Sequence, residues 1–398
     1  MRLIRAVAAK VLLATLALAP AAPAHADATC APSAPGPVPT GTPWAQVRYD
    51  LRQLSVIADG HGITVAVVDS GVDAAAPQSA AAVAGGMDLL TPGGTGQRDC
   101  VGHGTAVASI IAAAPMAGVD FVGLAPKARI LPYRVTEREI VDGRPQGQEG
   151  STDAVARAVR DAADHAQVIN LSLTQSTNDP RLRAAVAYAV SRDVVVVAAV
   201  GNAHHADGID PPSYPAAYPG VIGVGAVDEN GVRVAQSQVG PYVCVVAPGA
   251  DVTVAARGRG LTTASGTSFA APFVSATAAL IRQYHPGIHA DQVAARIVAT
   301  TDPAPGGRPD PGYGYGILNP YRAVTENLPT GALNRGTAGG GAASPLPPAG
   351  ARVVALSPAG RTTPLLLAAG AVLLALLILG AATVVPRGAA RHWRPGPN

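Results

Sequence analysis

Residues 62–70 contain Ile63, Val65, Ala66, Val67 and Val68, and the run ends in Asp69-Ser70-Gly71. An apolar run this short and unbroken fits a strand covered on both faces, as in a parallel sheet. The C-terminal edge of such strands is where active sites gather. Further strands are expected at 128–135, 168–173, 194–200 and 221–227, and another at 242–247. Helical stretches at 152–165 and 180–191 fall between them. That alternation predicts an α/β fold with a mostly parallel central sheet and helices on both faces. Residues 44–57 suit a short amphipathic helix, and 106–114 a helix of small and β-branched residues. A further helix follows Ser268, where Val274, Ala278 and Ile281 recur at helical spacing until His285-Pro286. Residues 137–150 read as an exposed loop or hairpin insertion and 203–220 as an irregular loop. Residues 301–316 close the domain, anchored by Ile317-Leu318-Asn319-Pro320.

The two ends differ from the middle. Arg2, Arg5 and Lys10, the apolar stretch 11–19 and Ala24-His25-Ala26 compose a secretory signal peptide over residues 1–26. Residues 365–385 are uncharged between Pro364 and Pro386, long enough for one C-terminal transmembrane helix. Arg387, Arg391 and Arg394 follow it, against Arg361 before it. That bias predicts a cytoplasmic tail at 386–398 and an extracytoplasmic domain. Between lie an extension at 27–61, the main domain at 62–327 and a Gly/Ala/Pro-rich linker at 328–364. A net charge of +3 with 14% charged residues indicates no nucleic-acid partner. Cys30, Cys100 and Cys244 would then face an oxidising compartment, where any of three pairings leaves one thiol over.

Three polar residues stand where chemistry is expected. Asp69 ends a buried strand, His103 opens a helix within Gly102-His103-Gly104-Thr105, and Ser268 opens another. A serine before an apolar run is ordinarily an N-cap. A serine nucleophile, however, needs a base to take its proton and a buried carboxylate to hold that imidazole in one tautomer. Asp69, His103 and Ser268 fill those roles.

The blocks Asp69-Ser70-Gly71-Val72-Asp73, Gly102-His103-Gly104-Thr105 and Gly266-Thr267-Ser268-Phe269-Ala270-Ala271-Pro272 resemble the three signature blocks of the subtilisin-like serine proteases, in the family order. The resemblance spans roughly residues 62–323 and implies a three-layer subtilisin-like fold. It also implies that Asn202, after the strand ending in Val200-Gly201, donates to the oxyanion together with the Ser268 backbone N–H. A protein substrate would lie extended. By resemblance Leu131, Tyr133 and Val135 would flank it on one side and Leu171, Ser172 and Leu173 on the other. Ala198 and Gly201 would help line the pocket before the cut. No acidic residue clearly enters that pocket, so a small or medium apolar side chain is expected there. Asp73 is read as a turn residue, and His204-His205 as an exposed loop pair rather than a metal site. No metal or other cofactor is expected.

Signal peptide, protease domain, linker and membrane helix together resemble the mycosins, membrane-anchored subtilisin-like proteases associated with type VII secretion in actinobacteria. Pro43-Trp44 and the cysteine in Asp99-Cys100-Val101-Gly102-His103 add to the likeness. The resemblance implies a Cys30–Cys100 disulfide pinning an N-terminal arm, and it implies secretion-complex membrane subunits as partners. Mycosins usually carry a second disulfide; here Cys244 lacks a partner for one, and a buried thiol is the preferred reading. Residues 27–59 are shorter than a usual subtilisin propeptide. The implied activity is endoproteolysis of exported proteins; the competing reading is a subunit that chiefly stabilises a secretion complex.

Overall fold

A computed structural model describes residues 30, 36 and 41–328, apart from 142–143 and 206–207. The chain divides into two units, Met1–Ala343 and Ser344–Asn398, and everything described belongs to the first. The expected signal peptide, all but the first residue of the linker, the membrane helix and the tail lie outside the described residues. Among the described residues no helix is long and apolar enough to cross a membrane.

Two short helices lead in, α1 (Trp44–Tyr49) and α2 (Leu51–Ile57). The expected single helix over 44–57 is broken at Asp50, which adopts a left-handed φ of 42° and caps the second piece through its side chain. Then come β1 (Thr64–Asp69), β2 (Met87–Asp88), α3 (His103–Ala112) and β3 (Arg129–Arg134). A hairpin, β4 (Glu139–Val141) and β5 (Arg144–Gln146), fills the polar insertion. Next are α4 (Thr152–His165), β6 (Val168–Leu171), α5 (Pro180–Ser191), β7 (Val195–Ala199), β8 (Val221–Val227) and β9 (Val245–Pro248). A second hairpin, β10 (Val252–Ala255) and β11 (Leu261–Ala264), precedes α6 (Thr267–Tyr284), α7 (Ala290–Ala299) and α8 (Pro320–Thr325).

Local chemistry sets several of these bounds. Ser151 Oγ accepts the Ala154 N–H and starts α4. Asp179 accepts the Arg181 and Leu182 N–H groups and starts α5, with Pro180 in its first turn. The strand expected at 242–247 begins only at Val245. Cys244, the free cysteine, therefore sits just ahead of it, half-buried, and burial pushes its thiol pKa up.

Seven strands form one sheet in the order β2-β3-β1-β6-β7-β8-β9, every described pairing parallel. Val65 and Val67 face one core with α3 and α6, while Ala66 and Val68 face the other with α4 and α5. Both faces of β1 are thus covered, which is why its sequence does not alternate. The chain leaves β1 for β3 on one side and returns across it to β6 on the other. Connections that diverge this way open a crevice beyond the C-terminal ends of β1 and β6.

The N-terminal arm is tied down at separate points. Cys30 is bonded to Cys100, the Gly36 N–H donates to the Arg259 carbonyl at 2.9 Å, and Trp44 Nε1 donates to the Ala250 carbonyl at 3.2 Å. The disulfide joins residues 70 apart in sequence. Replacing both cysteines by serine should lower the unfolding free energy by about 2–4 kcal/mol, because the unfolded chain regains that loop's entropy. The shift in urea midpoint measures it; an unchanged midpoint would mean the disulfide contributes nothing to stability.

Candidate active site

Asp69 is the last residue of β1 and only 2% exposed. Its Oδ1 accepts the Ser70 N–H at 2.7 Å and lies 2.7 Å from His103 Nδ1. Its Oδ2 is buried with no partner among the described residues. His103 opens α3 behind Gly102, whose φ of 92° suits glycine. The glycine after it serves a different need: a Cβ on Gly104 would stand 2.0 Å from the Gly71 carbonyl oxygen. The start of α3 is therefore pressed against the turn that leaves β1.

Burial opposes charge on the His103 ring, but the Asp69 charge, its hydrogen bond and the charge of Asp99 outweigh that. The imidazole pKa is consequently raised above 6.5. With Nδ1 facing a carboxylate, the neutral ring keeps its proton there and leaves Nε2 as the acceptor.

Asp99 is a component that sequence reasoning quoted within a motif without assigning it a role. Its carboxylate is buried and accepts from Ser70 Oγ (2.9 Å), Thr105 Oγ1 (2.7 Å) and the N–H groups of Val101, Gly102 and Thr105. Ser70 Oγ in turn accepts the Gly104 N–H at 2.9 Å. One carboxylate thus clips the turn after β1 to the first turn of α3, and so holds Asp69 and His103 in mutual register. Burial, helped by the Asp69 charge, raises the Asp99 pKa against those hydrogen bonds. The available signal was its spacing: an acid four residues before the histidine, with a threonine two residues after it.

Ser268 is the second residue of α6, and its ring-bearing neighbour Phe269 packs on His103 with centroids 5.2 Å apart. The Ser268 hydroxyl donates to the Ser172 carbonyl at 3.2 Å, and no hydrogen bond joins it to His103 among the described residues. The backbone N–H of Ser268 has no acceptor among the described residues, as expected in the first turn of a helix. Asn202 lies alongside: its Oδ1 accepts the Thr267 N–H at 2.9 Å, which leaves Nδ2 on the side of Gly266. Gly201, at a φ of 105°, donates its N–H to Thr267 Oγ1 at 3.1 Å. Two hydrogen bonds therefore stitch the loop after β7 to the start of α6.

The expected peptide-flanking residues divide. Tyr133 and Val135 are buried, and β3 is hydrogen-bonded to β1 on one side and β2 on the other, so it has no free edge at Tyr133. Tyr133 points under α4, its hydroxyl donating to Asp161 at 2.5 Å. Leu171 and Ala198 are fully buried, and half-buried Leu131 packs into the same core. These five support the crevice rather than line it, because a side chain in a doubly covered strand is committed to one helix layer or the other. Ser172, Leu173 and Gly201 lie past the ends of β6 and β7, where pairing stops. His204 also departs from expectation. It is largely buried and pairs through Nδ1 with Asp210 Oδ2 at 2.8 Å.

Comparison with known proteins agrees with this geometry. The Peptidase S8 model of the subtilase family matches residues 60–316, more than half of the chain. Mycosin-1 of Mycolicibacterium smegmatis is 34% identical over 338 residues, covering 73% of this chain and 74% of that protein. The chain is a subtilase of the mycosin group. Among solved structures, MycP1 from Mycobacterium smegmatis superposes with a TM-score of 0.65 at 31% identity, over 75% of this chain and 89% of that one. MycP3 protease from the type VII (ESX-3) secretion system gives 0.63 at 32% identity, over 74% and 90%. This mycosin is accordingly a serine endopeptidase with a subtilisin-like α/β fold.

A raised histidine pKa has a definite sign in this chemistry. The Asp69 charge should keep the ring protonated to higher pH than free histidine, so the ring-proton NMR titration of His103 should have its midpoint above 6.5. Asp69→Asn should bring that midpoint down, since an amide carries no charge to hold the imidazolium. A titration midpoint below that of free histidine would contradict the assignment of Asp69 as its partner.

Proposed function

We propose that Asp69, His103 and Ser268 are the catalytic triad, and that Asn202 with the Ser268 N–H forms the oxyanion site. The observation carrying this reading is the 2.7 Å contact from buried Asp69 to His103 Nδ1, beside a helix whose second residue is serine. In the reaction the Ser268 hydroxyl leaves the Ser172 carbonyl and gives its proton to His103 Nε2 as Oγ attacks the scissile carbonyl. Asp69 stabilises the imidazolium through the Oδ1 that lies 2.7 Å from Nδ1. The tetrahedral oxyanion takes hydrogen bonds from Asn202 Nδ2 and the Ser268 N–H, helped by the positive end of α6. His103 then protonates the leaving amine, and water repeats the sequence on the acyl-enzyme. The substrate is a protein segment held extended beside residues 172–174 and 199–201.

The enzyme acts at a membrane in this reading. Residues 1–26 direct export, residues 365–385 anchor the chain, and the catalytic domain faces outward to process exported proteins. Likeness to a mycosin from a type VII secretion system supports placing the chain in such a complex. The test is labelling of full-length chain in membranes with a fluorophosphonate. Ser268→Ala and His103→Ala should abolish labelling. Asn202→Ala should slow it about 10²- to 10³-fold, the scale known for this donor in subtilisin. Labelling that survives Ser268→Ala would overturn the triad.

A further inference from the structure

Pro272 lies inside α6, and the N–H it lacks is the one that would have bonded the Ser268 carbonyl four residues earlier. That carbonyl has to find a donor outside its own helix. Ser172 Oγ supplies it at 2.7 Å, from just beyond the end of β6. Ser172 also receives the Ser268 hydroxyl on its own carbonyl, so the two serines are bonded twice, in opposite directions.

A serine hydroxyl has one hydrogen. With that hydrogen committed to the Ser268 carbonyl, Ser172 Oγ can only accept from Asn170, whose Nδ2 lies 2.9 Å away. This fixes the Asn170 amide and turns its Oδ1 the other way, toward Ser275 Oγ at 2.8 Å. Ser275 must then donate. The result is a one-way relay, from Ser275 to Asn170 to Ser172 to the Ser268 carbonyl, running from the middle of α6 to β6 and the residue just beyond it and back to the first turn of α6. Asn170 and Ser275 are both 0% exposed, so neither finds water if the chain of bonds is cut.

We infer that Ser275 is a positioning residue for Ser268, acting through Asn170 and Ser172. The inference rests on the reading of Ser268 as nucleophile. Without the Ser275 hydroxyl, Asn170 Oδ1 is unpaired in a dry core. With Oδ1 unheld, the amide is no longer fixed about its side-chain torsion, and the Ser172 hydroxyl loses the steady donor that keeps its own hydrogen on the Ser268 carbonyl. The peptide plane following Ser268 loses its anchor, and with it the placement of the nucleophile.

The measurement is the saturating inactivation rate and binding constant of a fluorophosphonate on the full-length membrane-bound chain. Ser275→Ala should lower the rate about 10-fold, the scale of one buried hydrogen bond, with the binding constant unchanged. Ser172→Ala should lower it at least as much. The double variant should match Ser172→Ala alone, since a relay cut at its end is indifferent to its beginning. Ser275→Thr, which keeps the hydroxyl, should recover most of the rate. Should Ser275→Ala not fold, Ser275→Cys, slightly larger and only a weak donor, should lower the rate in the same direction. A wild-type rate in Ser275→Ala, or fully additive losses in the double variant, overturns the relay while leaving the triad intact. A wild-type chain that takes no label on Ser268 overturns both.

Discussion

A parallel sheet covered on both faces leaves polar side chains little place except the strand ends, because burying one without partners costs several kcal/mol. In β1 the alternating residues feed two separate cores, Val65 and Val67 on one side and Ala66 and Val68 on the other. Asp69 is the first side chain able to carry charge after that run. It emerges at the C-terminal edge of the sheet, where the chain's connections diverge. The helices α3 and α6 pack on the same face as Val65 and Val67, and both begin at this end. The starts of α3 and α6 are thereby brought to the end of the sheet where Asp69 lies, His103 at the close of the irregular segment that follows β1.

Electrostatics then depends on how few groups neutralise Asp69. One oxygen is shared by the Ser70 N–H and His103; the other has no partner among the described residues. Asp99, by contrast, is surrounded by donors from Ser70, Gly102 and Thr105. Two carboxylates in one buried neighbourhood act differently because their hydrogen bonding differs. The satisfied one holds the backbone in place. Asp69, in contact with the ring and helped by the Asp99 charge, favours a positive imidazole, which is the direction of the His103 shift.

Much of this was legible in the residues. The bounds of α4 and α5 follow from Ser151 and from Asp179-Pro180, whose capping chemistry is local. The sheet strands were legible because unbroken valine and isoleucine runs fit few other environments. What failed was the assignment of roles within those runs. Tyr133, Leu171 and Ala198 were expected beside a peptide, yet a continuous apolar run is itself the sign that such side chains are committed to a core. Asn170 escaped notice in the same way, as one polar residue in Val168–Leu171. Its meaning depends on Ser275, 105 positions away, which only tertiary structure brings within reach. The break at Asp50 was hidden for a different reason, since an aspartate tolerates a helix interior and a left-handed turn alike.

Pro272 connects these observations. A proline at the sixth position of a helix is costly on its own account, and here it strips the turn that carries Ser268 of a backbone hydrogen bond. The gap is filled by Ser172, and Ser172 cannot donate there unless Asn170 presents its amide N–H, not its oxygen. A strand that is apolar on both faces is thereby obliged to carry an asparagine in its interior, and the facing helix a serine. Replacing the whole set by apolar residues would remove a burial penalty and leave the Ser268 carbonyl without a donor. The polar thread through the core is best understood as the physical consequence of placing a proline just after the serine.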